Sequence, residues 1–225
     1  MEPEFDRFGA TYEEAVDSAI AFAGQEHDFY VEAKARRLLE LTRRHLGSGR
    51  PRALDVGCGV GLIDRHLSPA LDLHGVDVSP AMVERAQAAN PDVSYRVYDG
   101  RRLPFADGEL DLAFAICVLH HVDPPDRGAL LGEMARVTRP GGLTVVFEHN
   151  PLNPLTRRVV RNCAFDEGVE LIGRGELERL ARAAGLLVVA SEYLLFVPWR
   201  ADTLERALRR LPLGAQYVVA ARRPA

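Results

Sequence analysis

Three glycines at alternate positions follow an acidic residue and an apolar run. The stretch from Leu54 to Gly61 reads LDVGCGVG, with glycines at positions 57, 59 and 61. Glycine adopts positive φ without steric cost and lets the backbone approach a ligand, and the start of a following helix offers unpaired N–H groups. The pattern therefore predicts a ligand-binding loop between a buried strand and a helix.

Histidines and a glutamate follow two other apolar runs. His120 and His121 come after LDLAFAICVL, and Glu148 and His149 end LTVVFEH. Such groups act as general bases when a reacting hydroxyl must lose a proton. His149 is the favoured base, with Glu148 as its orienting partner or as an alternative base. His121 is a second candidate for a pocket-facing base, and His120 is expected to make a structural hydrogen bond. The alternative is that EHNPLNP forms a polar turn.

Composition narrows the classes of function. The formal net charge is -4 and basic residues form no continuous block, so a nucleic-acid partner is not expected. Apolar runs are too short to span a membrane, and the first residues, MEPEFDRFGATYEE, lack the pattern of a secretory signal. These features predict a cytoplasmic monomer or homodimer with a small-molecule substrate.

Cysteines do not indicate a disulfide framework or a metal site. Cys58, Cys117 and Cys163 are few, scattered and without CxxC spacing. No other group of residues shows the spacing of metal ligands along the sequence. We therefore expect buried thiols and no bound metal.

Strands alternate with helices along most of the chain. The expected strands are RALDV, LDLHGVDV, VSYRVY, LDLAFAICVL, LTVVFEH, LLVVASEYLLFV and AQYVVAA. The fourth is almost continuously apolar, as a strand covered on both faces requires. Only about fifteen residues join the last two strands, too few for an ordinary parallel crossover. The sequence thus predicts a doubly wound α/β sheet of seven strands with strand 7 antiparallel, and its ligand at the carboxyl ends of the strands.

The glycine loop differs from two well-known nucleotide-binding loops. In a dinucleotide fingerprint a third small residue stands where this chain has Leu62, and no G-K-[ST] of a phosphate-binding loop follows. A nicotinamide oxidoreductase is therefore disfavoured.

Four motifs in order resemble the class I S-adenosylmethionine (SAM)-dependent methyltransferases, which have a Rossmann-like sheet. LDVGCGVG resembles the first motif and HGVDVSPAMVERA the second. VYDGRRLPFADGELDLAFAICVLHHV and MARVTRPGGLTVVFEHN resemble the segments around strands 3 to 5. The similarity covers residues 52–150 in detail, and it is greatest to the small-molecule, methyltransferase-11 subgroup that modifies quinones and natural products.

The resemblance implies a role for each matching position. Asp77 would accept hydrogen bonds from both ribose hydroxyls. Asp99 would accept one from the adenine amine, and Asp55 would order the loop and the cofactor amino group. The other residues expected at the cofactor are Gly57, Cys58, Gly59, Val78, Met82, Gly100 and Cys117.

Substrate recognition is expected from segments outside the motifs. Residues 1–50 are rich in aromatic side chains and are expected to form a helical lid on a SAM-binding domain of residues 51–225. Residues 150–172 are expected to be an irregular roof, whose arginines could bind a carboxylate or phosphate or could simply be solvated. The residues expected at the substrate are Tyr12, Tyr30, His121, His149, Asn150 and Arg157.

Two functions remain compatible with these motifs. The first is methyl transfer from SAM to a small molecule, with S-adenosylhomocysteine (SAH) as product. Oxygen is the favoured acceptor, and nitrogen and carbon stay open. The second is a SAM-binding protein that transfers no methyl group and acts as a sensor or a partner subunit.

Overall fold

The computed structural model describes residues 27–163, 166–197, 199 and 201–225, and seven strands lie among them. The strands are β1 (Arg52–Val56), β2 (Asp72–Asp77), β3 (Ser94–Val97), β4 (Leu110–Ile116), β5 (Thr138–His149), β6 (Leu187–Leu194) and β7 (Gln216–Arg222). The helices are α1 (His27–Leu46), α2 (Asp64–Leu67), α3 (Pro80–Ala89), α4 (Arg127–Val137), α5 (Pro154–Asn162), α6 (Arg174–Ala183) and α7 (Asp202–Leu208). A 3-10 turn covers Leu119–His121.

All seven strands belong to one sheet with the order β3-β2-β1-β4-β5-β7-β6. Neighbouring strands from β3 to β5 are parallel, whereas β7 runs antiparallel to both β5 and β6. This confirms the predicted doubly wound sheet and the direction of strand 7. The chain moves outward from β1 to β3 and then returns to β4, so the carboxyl ends of β1 and β4 mark the switch point where such sheets bind ligands.

Helices cover both faces of the central strands. On one face, Leu38 and Leu41 of α1 pack with Phe114 of β4. On the other face, Met134 of α4 and Leu177 of α6 belong to a second apolar cluster. This double coverage explains why the sequence of β4 is almost continuously apolar.

The expected irregular roof at 150–172 contains a helix, so that part of the prediction is wrong. Asn153 caps α5, because its side-chain oxygen accepts hydrogen bonds from the N–H groups of Leu155 and Thr156. Pro154 then occupies the first helical position, where its fixed φ favours a helix and its missing N–H costs no bond. The residues NPLNP therefore include a helix start.

The described part of the expected N-terminal lid is helix α1. Val31, Ala35, Leu38 and Leu41 are buried against the sheet, so α1 is an integral layer of the fold. Tyr12 and the other residues before 27 lie outside the described residues. Among the described residues, no helix has the length and apolar character needed to cross a membrane.

Candidate active site

A cavity of about 620 Å³ opens at the switch point. Its walls come from the glycine loop after β1, the end of β2, the turn after β4 and helix α1. Predicted cofactor residues that line it are Asp55, Gly57, Cys58, Gly59, Asp77, Val78, Met82, Gly100 and Cys117. The structure therefore gathers nine of the ten predicted cofactor positions around one cavity.

Asp77 ends β2 and holds the glycine loop in place. Its Oδ2 accepts a hydrogen bond of 2.8 Å from the Gly59 N–H, and its Oδ1 accepts one of 2.9 Å from the Ser79 N–H. The side chain is buried and lines the cavity, and a carboxylate oxygen can accept more than one hydrogen bond.

The glycine loop needs glycine for two different reasons. Gly57 has φ +74, and a Cβ there would lie 2.7 Å from a methyl carbon of Val118. Gly59 has φ +52, but a Cβ there would meet no atom within 4 Å. The open space beside Gly59, which lines the cavity, is where a ligand can approach the backbone.

Two buried carboxyls meet beneath this loop. Asp55 lines the cavity, and its buried carboxyl interacts electrostatically with that of Asp64, which accepts a 2.6 Å bond from the Tyr95 hydroxyl. Burial raises the pKa of Asp64 to about 6, and burial together with the charge of Asp64 raises the pKa of Asp55 well above its ordinary value. The pair therefore binds a proton more readily than ordinary carboxyls do. A positively charged or hydrogen-bond-donating ligand group can take the place of that proton.

The remaining predicted cofactor residue, Asp99, is exposed and does not line the cavity formed by the described residues. Its Oδ1 accepts 2.9 Å hydrogen bonds from the N–H groups of Arg102 and Arg101. These two bonds, the one from Arg102 more than the one from Arg101, lower the pKa of the Asp99 carboxyl. Its neighbours Tyr98 and Gly100 form the wall instead. The role of Asp99 at the adenine remains a prediction.

At the opposite end, the cavity meets the turn after β4. Cys117 has a φ of 57, rare for a residue other than glycine, and its N–H donates a 2.8 Å bond to the Phe147 carbonyl. Burial raises the pKa of its thiol to about 12, so Cys117 is not a nucleophile at neutral pH. His121 lines the same wall, and burial lowers its pKa to about 4.

Glu148 does not orient His149, so the expected pairing is corrected. Its Oε2 lies 2.7 Å from Nδ1 of His120, and its Oε1 accepts a 2.7 Å bond from the Leu119 N–H. Glu148 is fully buried, which also removes it as an alternative base for a substrate in the cavity. Although burial alone would lower it, the carboxylates of Glu148 and Asp166 raise the pKa of His120 to about 9.

His149 does not line the cavity formed by the described residues. Its Nδ1 lies 3.4 Å from Nε2 of Gln216, which also lies 3.4 Å from Sγ of Cys117. Burial lowers the pKa of His149 to about 4. His149 is thus connected to the cavity wall through Gln216 on β7, and its catalytic role remains a prediction.

Three predicted substrate residues lie away from the cavity in the described part of the chain. Asn150 is buried, and its amide donates to the carbonyls of Pro212 and Gly214, so it ties α5 to the start of β7. Arg157 is exposed on α5, and Tyr30 packs edge-on against Phe29. The assignment of these three residues to the substrate remains a prediction, while Tyr12 lies outside the described residues.

Two features of the site were not found from the sequence. Lys34, the single lysine of the chain, is buried and lines the cavity from α1. His120, His121 and Asp166 lie together although the sequence separates Asp166 from the histidines by more than forty residues. The expectation of no group of metal ligands rested on spacing along the sequence alone. Folding brings together three residues that could act as such a group.

Comparisons with known proteins agree with this geometry. A family model described as "Methyltransferase domain" matches residues 54–146. The chain is 30% identical over 181 residues to 2-methyl-6-phytyl-1,4-hydroquinone methyltransferase of Synechocystis sp.. That alignment covers 73% of this chain and 56% of the relative. It is 40% identical over 98 residues to demethylmenaquinone methyltransferase of Beutenbergia cavernae, in an alignment that covers 43% of this chain and 40% of the relative.

A third relative is 27-O-demethylrifamycin SV methyltransferase of Amycolatopsis mediterranei, 33% identical over 157 residues, with 62% of this chain and 57% of the relative covered. The chain thus spans about half the length of the curated relatives it matches. Among solved structures, a complex of the Haloferax volcanii Trm112 methyltransferase activator with a methyltransferase matches with a TM-score of 0.71, 21% identity and 100% of both chains covered. That likeness concerns the fold.

Proposed function

The chain belongs to the class I SAM-dependent methyltransferases, and we propose that it transfers the methyl group of SAM to a hydroxyl oxygen of a metabolite or natural product. When bound, SAM supplies a methyl group on a positively charged sulfur, and its transfer leaves SAH. For the protein, the main task is to hold the acceptor close to that methyl group and in line with it.

The residues around the cavity fit this cofactor. Asp77 would accept the ribose hydroxyls, and Val78 and Met82 would flank the adenine. The carboxyl pair of Asp55 and Asp64 would bind the amino group of the methionine part, because Oδ1 of Asp55 is buried with no hydrogen-bond partner among the described residues. An ammonium group there supplies the missing donor.

The observation that carries the choice of acceptor is the wall formed by Lys34, Cys117 and His121. The Lys34 charge is close enough to oppose the rise that burial causes in the pKa of Cys117 and to add to the fall that burial causes in the pKa of His149. An ammonium group at this end stabilises the negative charge that develops on a hydroxyl oxygen as it loses its proton. His121, which lines the wall, is the group we propose to receive that proton.

One of the relatives supports an oxygen acceptor by name, since it is named for a 27-O-demethylrifamycin. The other two are named for a hydroquinone and a demethylmenaquinone, and these names do not specify the atom that receives the methyl group. A hydroquinone carries phenol-like oxygens. We therefore propose phenols and hydroquinones as the first acceptors to test.

The function is tested by incubating the purified protein with radiolabelled SAM and a panel of phenols, hydroquinones, amines and thiols. We expect labelled methyl ether and one equivalent of SAH from at least one hydroxyl compound. Replacing His121 by alanine should lower kcat by about 10²-fold or more and leave the Kd of SAM unchanged. Transfer to amines or thiols alone contradicts the oxygen acceptor, and tight SAM binding without transfer to any compound supports a sensor.

Replacing Lys34 by methionine is expected to lower kcat/KM for a hydroxyl acceptor by about 10²-fold. Methionine retains most of the side chain's length but not the charge that stabilises the developing oxyanion. The loss should shrink for acceptors whose hydroxyl is already acidic. Arg44→Met, a change at an exposed position of the same helix α1, is the matched control and should leave kcat/KM unchanged. An equal loss for all acceptors, or a weaker Kd for SAM, would place Lys34 at the cofactor instead.

SAM affinity is expected to increase with pH across the acidic range, by about tenfold per pH unit for each proton released. In the free protein the pKa of Asp64 is raised to about 6 and the pKa of Asp55 is raised well above its ordinary value. An ammonium group needs the ionised carboxyls, so binding in this range must release a proton from the pair. Calorimetry should remain below about pH 7, where the amino group of SAM is still protonated. The control variant Asp64→Asn should make the slope shallower, and an unchanged slope in it contradicts this assignment.

A further inference from the structure

His120, His121 and Asp166 converge beside the acceptor end of the cavity. Oδ1 of Asp166 lies 3.5 Å from Nε2 of His120 and 3.3 Å from Nε2 of His121. Both separations exceed the usual range of about 2.7–3.2 Å for N–H···O hydrogen bonds. The same Oδ1 is buried without a hydrogen-bond partner among the described residues.

The separations match those of ligand atoms around one metal ion. Metal–nitrogen and metal–oxygen bonds of about 2.0–2.2 Å in a tetrahedral zinc site place neighbouring ligand atoms about 3.4 Å apart. The two measured values, 3.3 and 3.5 Å, lie on either side of that distance. The candidate ligand atoms of the three residues all lie within 4.8 Å of one another.

Glu148 orients one of the histidines as metal sites require. Its Oε2 accepts from Nδ1 of His120 at 2.7 Å, which leaves the lone pair of Nε2 directed toward Asp166. A carboxylate that holds the far nitrogen of a metal-binding histidine fixes its tautomer and raises its basicity. The buried carboxylates of Glu148 and Asp166 together carry two negative charges, which one divalent cation neutralises.

Arg127 joins the two segments that provide the three residues. Its Nε donates 3.0 Å bonds to the carbonyls of Leu119 and Val122, on either side of the histidines, and its Nη2 donates to the carbonyl of Glu170, shortly after Asp166. Arg127 is fully buried. The relative position of histidines and carboxylate is therefore fixed by the core of the fold.

We propose that His120, His121 and Asp166 bind one divalent cation of the zinc class, with two imidazole nitrogens and one carboxylate oxygen as ligands. This donor set suits zinc and similar borderline ions better than calcium or magnesium, which prefer oxygen ligands. Three protein ligands leave a position open, and His121 lines the cavity. In a part of the inference that rests on the proposed function, the acceptor oxygen would take this position and the cation would lower its pKa, so its proton would pass to water and His121 would act as a ligand in place of the base.

The site is tested on the full chain, stripped with a chelator and dialysed, by titration with zinc chloride and by the absorption spectrum after addition of cobalt(II). We expect one zinc ion per chain and the visible bands of tetrahedral cobalt. Asp166→Asn should weaken zinc binding by about a hundredfold or more, and Glu148→Gln by about 10- to 100-fold. Glu167→Gln, an exposed neighbour, is the matched control and should bind zinc as the unaltered chain does.

Zinc binding that is equally strong in the unaltered chain and Asp166→Asn, or absent from both, overturns the proposal. It would leave a protonated His120 between two carboxylates as the occupant of this space. His121→Ala serves as a second ligand variant if circular dichroism shows that Asp166→Asn does not fold. SAM titration of the same samples separates the two proposals, because the metal site can fail while SAM still binds, and SAM binding can fail while zinc is held.

Discussion

Replacing Asp77 by alanine is expected to lower the affinity for SAM by about a hundredfold. The carboxylate would accept two hydrogen bonds from the ribose, and hydrogen bonds to a charged group contribute about 1.5–3 kcal/mol each. A loss of about 3 kcal/mol corresponds to about two factors of ten in Kd. The variant also loses the bonds from the N–H groups of Gly59 and Ser79, so the loop becomes less well ordered.

Calorimetric titration with SAM and SAH measures this effect. Asp72→Ala removes a carboxylate from the exposed start of the same strand and should leave both Kd values unchanged. Asp77→Asn retains one acceptor oxygen and should fall between the two. Unchanged affinity in the alanine variant would mean that the ribose is held elsewhere, and a parallel NADH titration would then reopen the oxidoreductase alternative.

Replacing Arg127 by methionine is expected to lower the free energy of unfolding by about 1–3 kcal/mol. The guanidinium is fully buried and donates to the carbonyls of Leu119, Val122 and Glu170. Methionine fills much of the same volume but removes these donors. The Leu119 carbonyl keeps a 3.2 Å bond from the Val122 N–H and Glu170 is exposed, so the main cost is the Val122 carbonyl, and one buried group left unsatisfied costs about 1–3 kcal/mol. The loss is a large fraction of the stability of an ordinary domain.

Urea unfolding followed by circular dichroism measures this change, with the midpoint compared at a common slope. Arg179→Met, on the exposed face of α6, is the control and should shift the free energy by no more than about 0.5 kcal/mol. If Arg127→Met shifts it as little as the control, the Val122 carbonyl has found another donor. A second readout is zinc binding, which should weaken even in the fraction that remains folded.

The sheet could be predicted because its signals are local. Each central strand is a short apolar run between turn residues, and the short connection to the last strand determined its direction. Helix α5 was missed since its prolines were interpreted as loop residues. Asn153 followed by Pro154 is a helix start, and that cap was the signal that could have corrected the prediction.

The cofactor end of the site could also be predicted, because its residues follow one another along the chain. Nothing local marks Lys34, Asp64 or Asp166 as partners of residues elsewhere. Glu148 was assigned to its sequence neighbour His149 although its side chain reaches His120. These contacts depend on how distant segments pack, which periodicity and motif spacing do not encode.

The position of β7 between β5 and β6 has a consequence for synthesis on the ribosome. Residues 216–222 are the last of the sheet to be made, yet they form an interior strand, so β6 has no partner until they emerge. Until then the nascent chain presents the open edge of β5, a surface that invites pairing with other chains. Folding of this half of the sheet is therefore delayed to a late stage of translation, and chaperones that shield exposed strands would matter most during that interval.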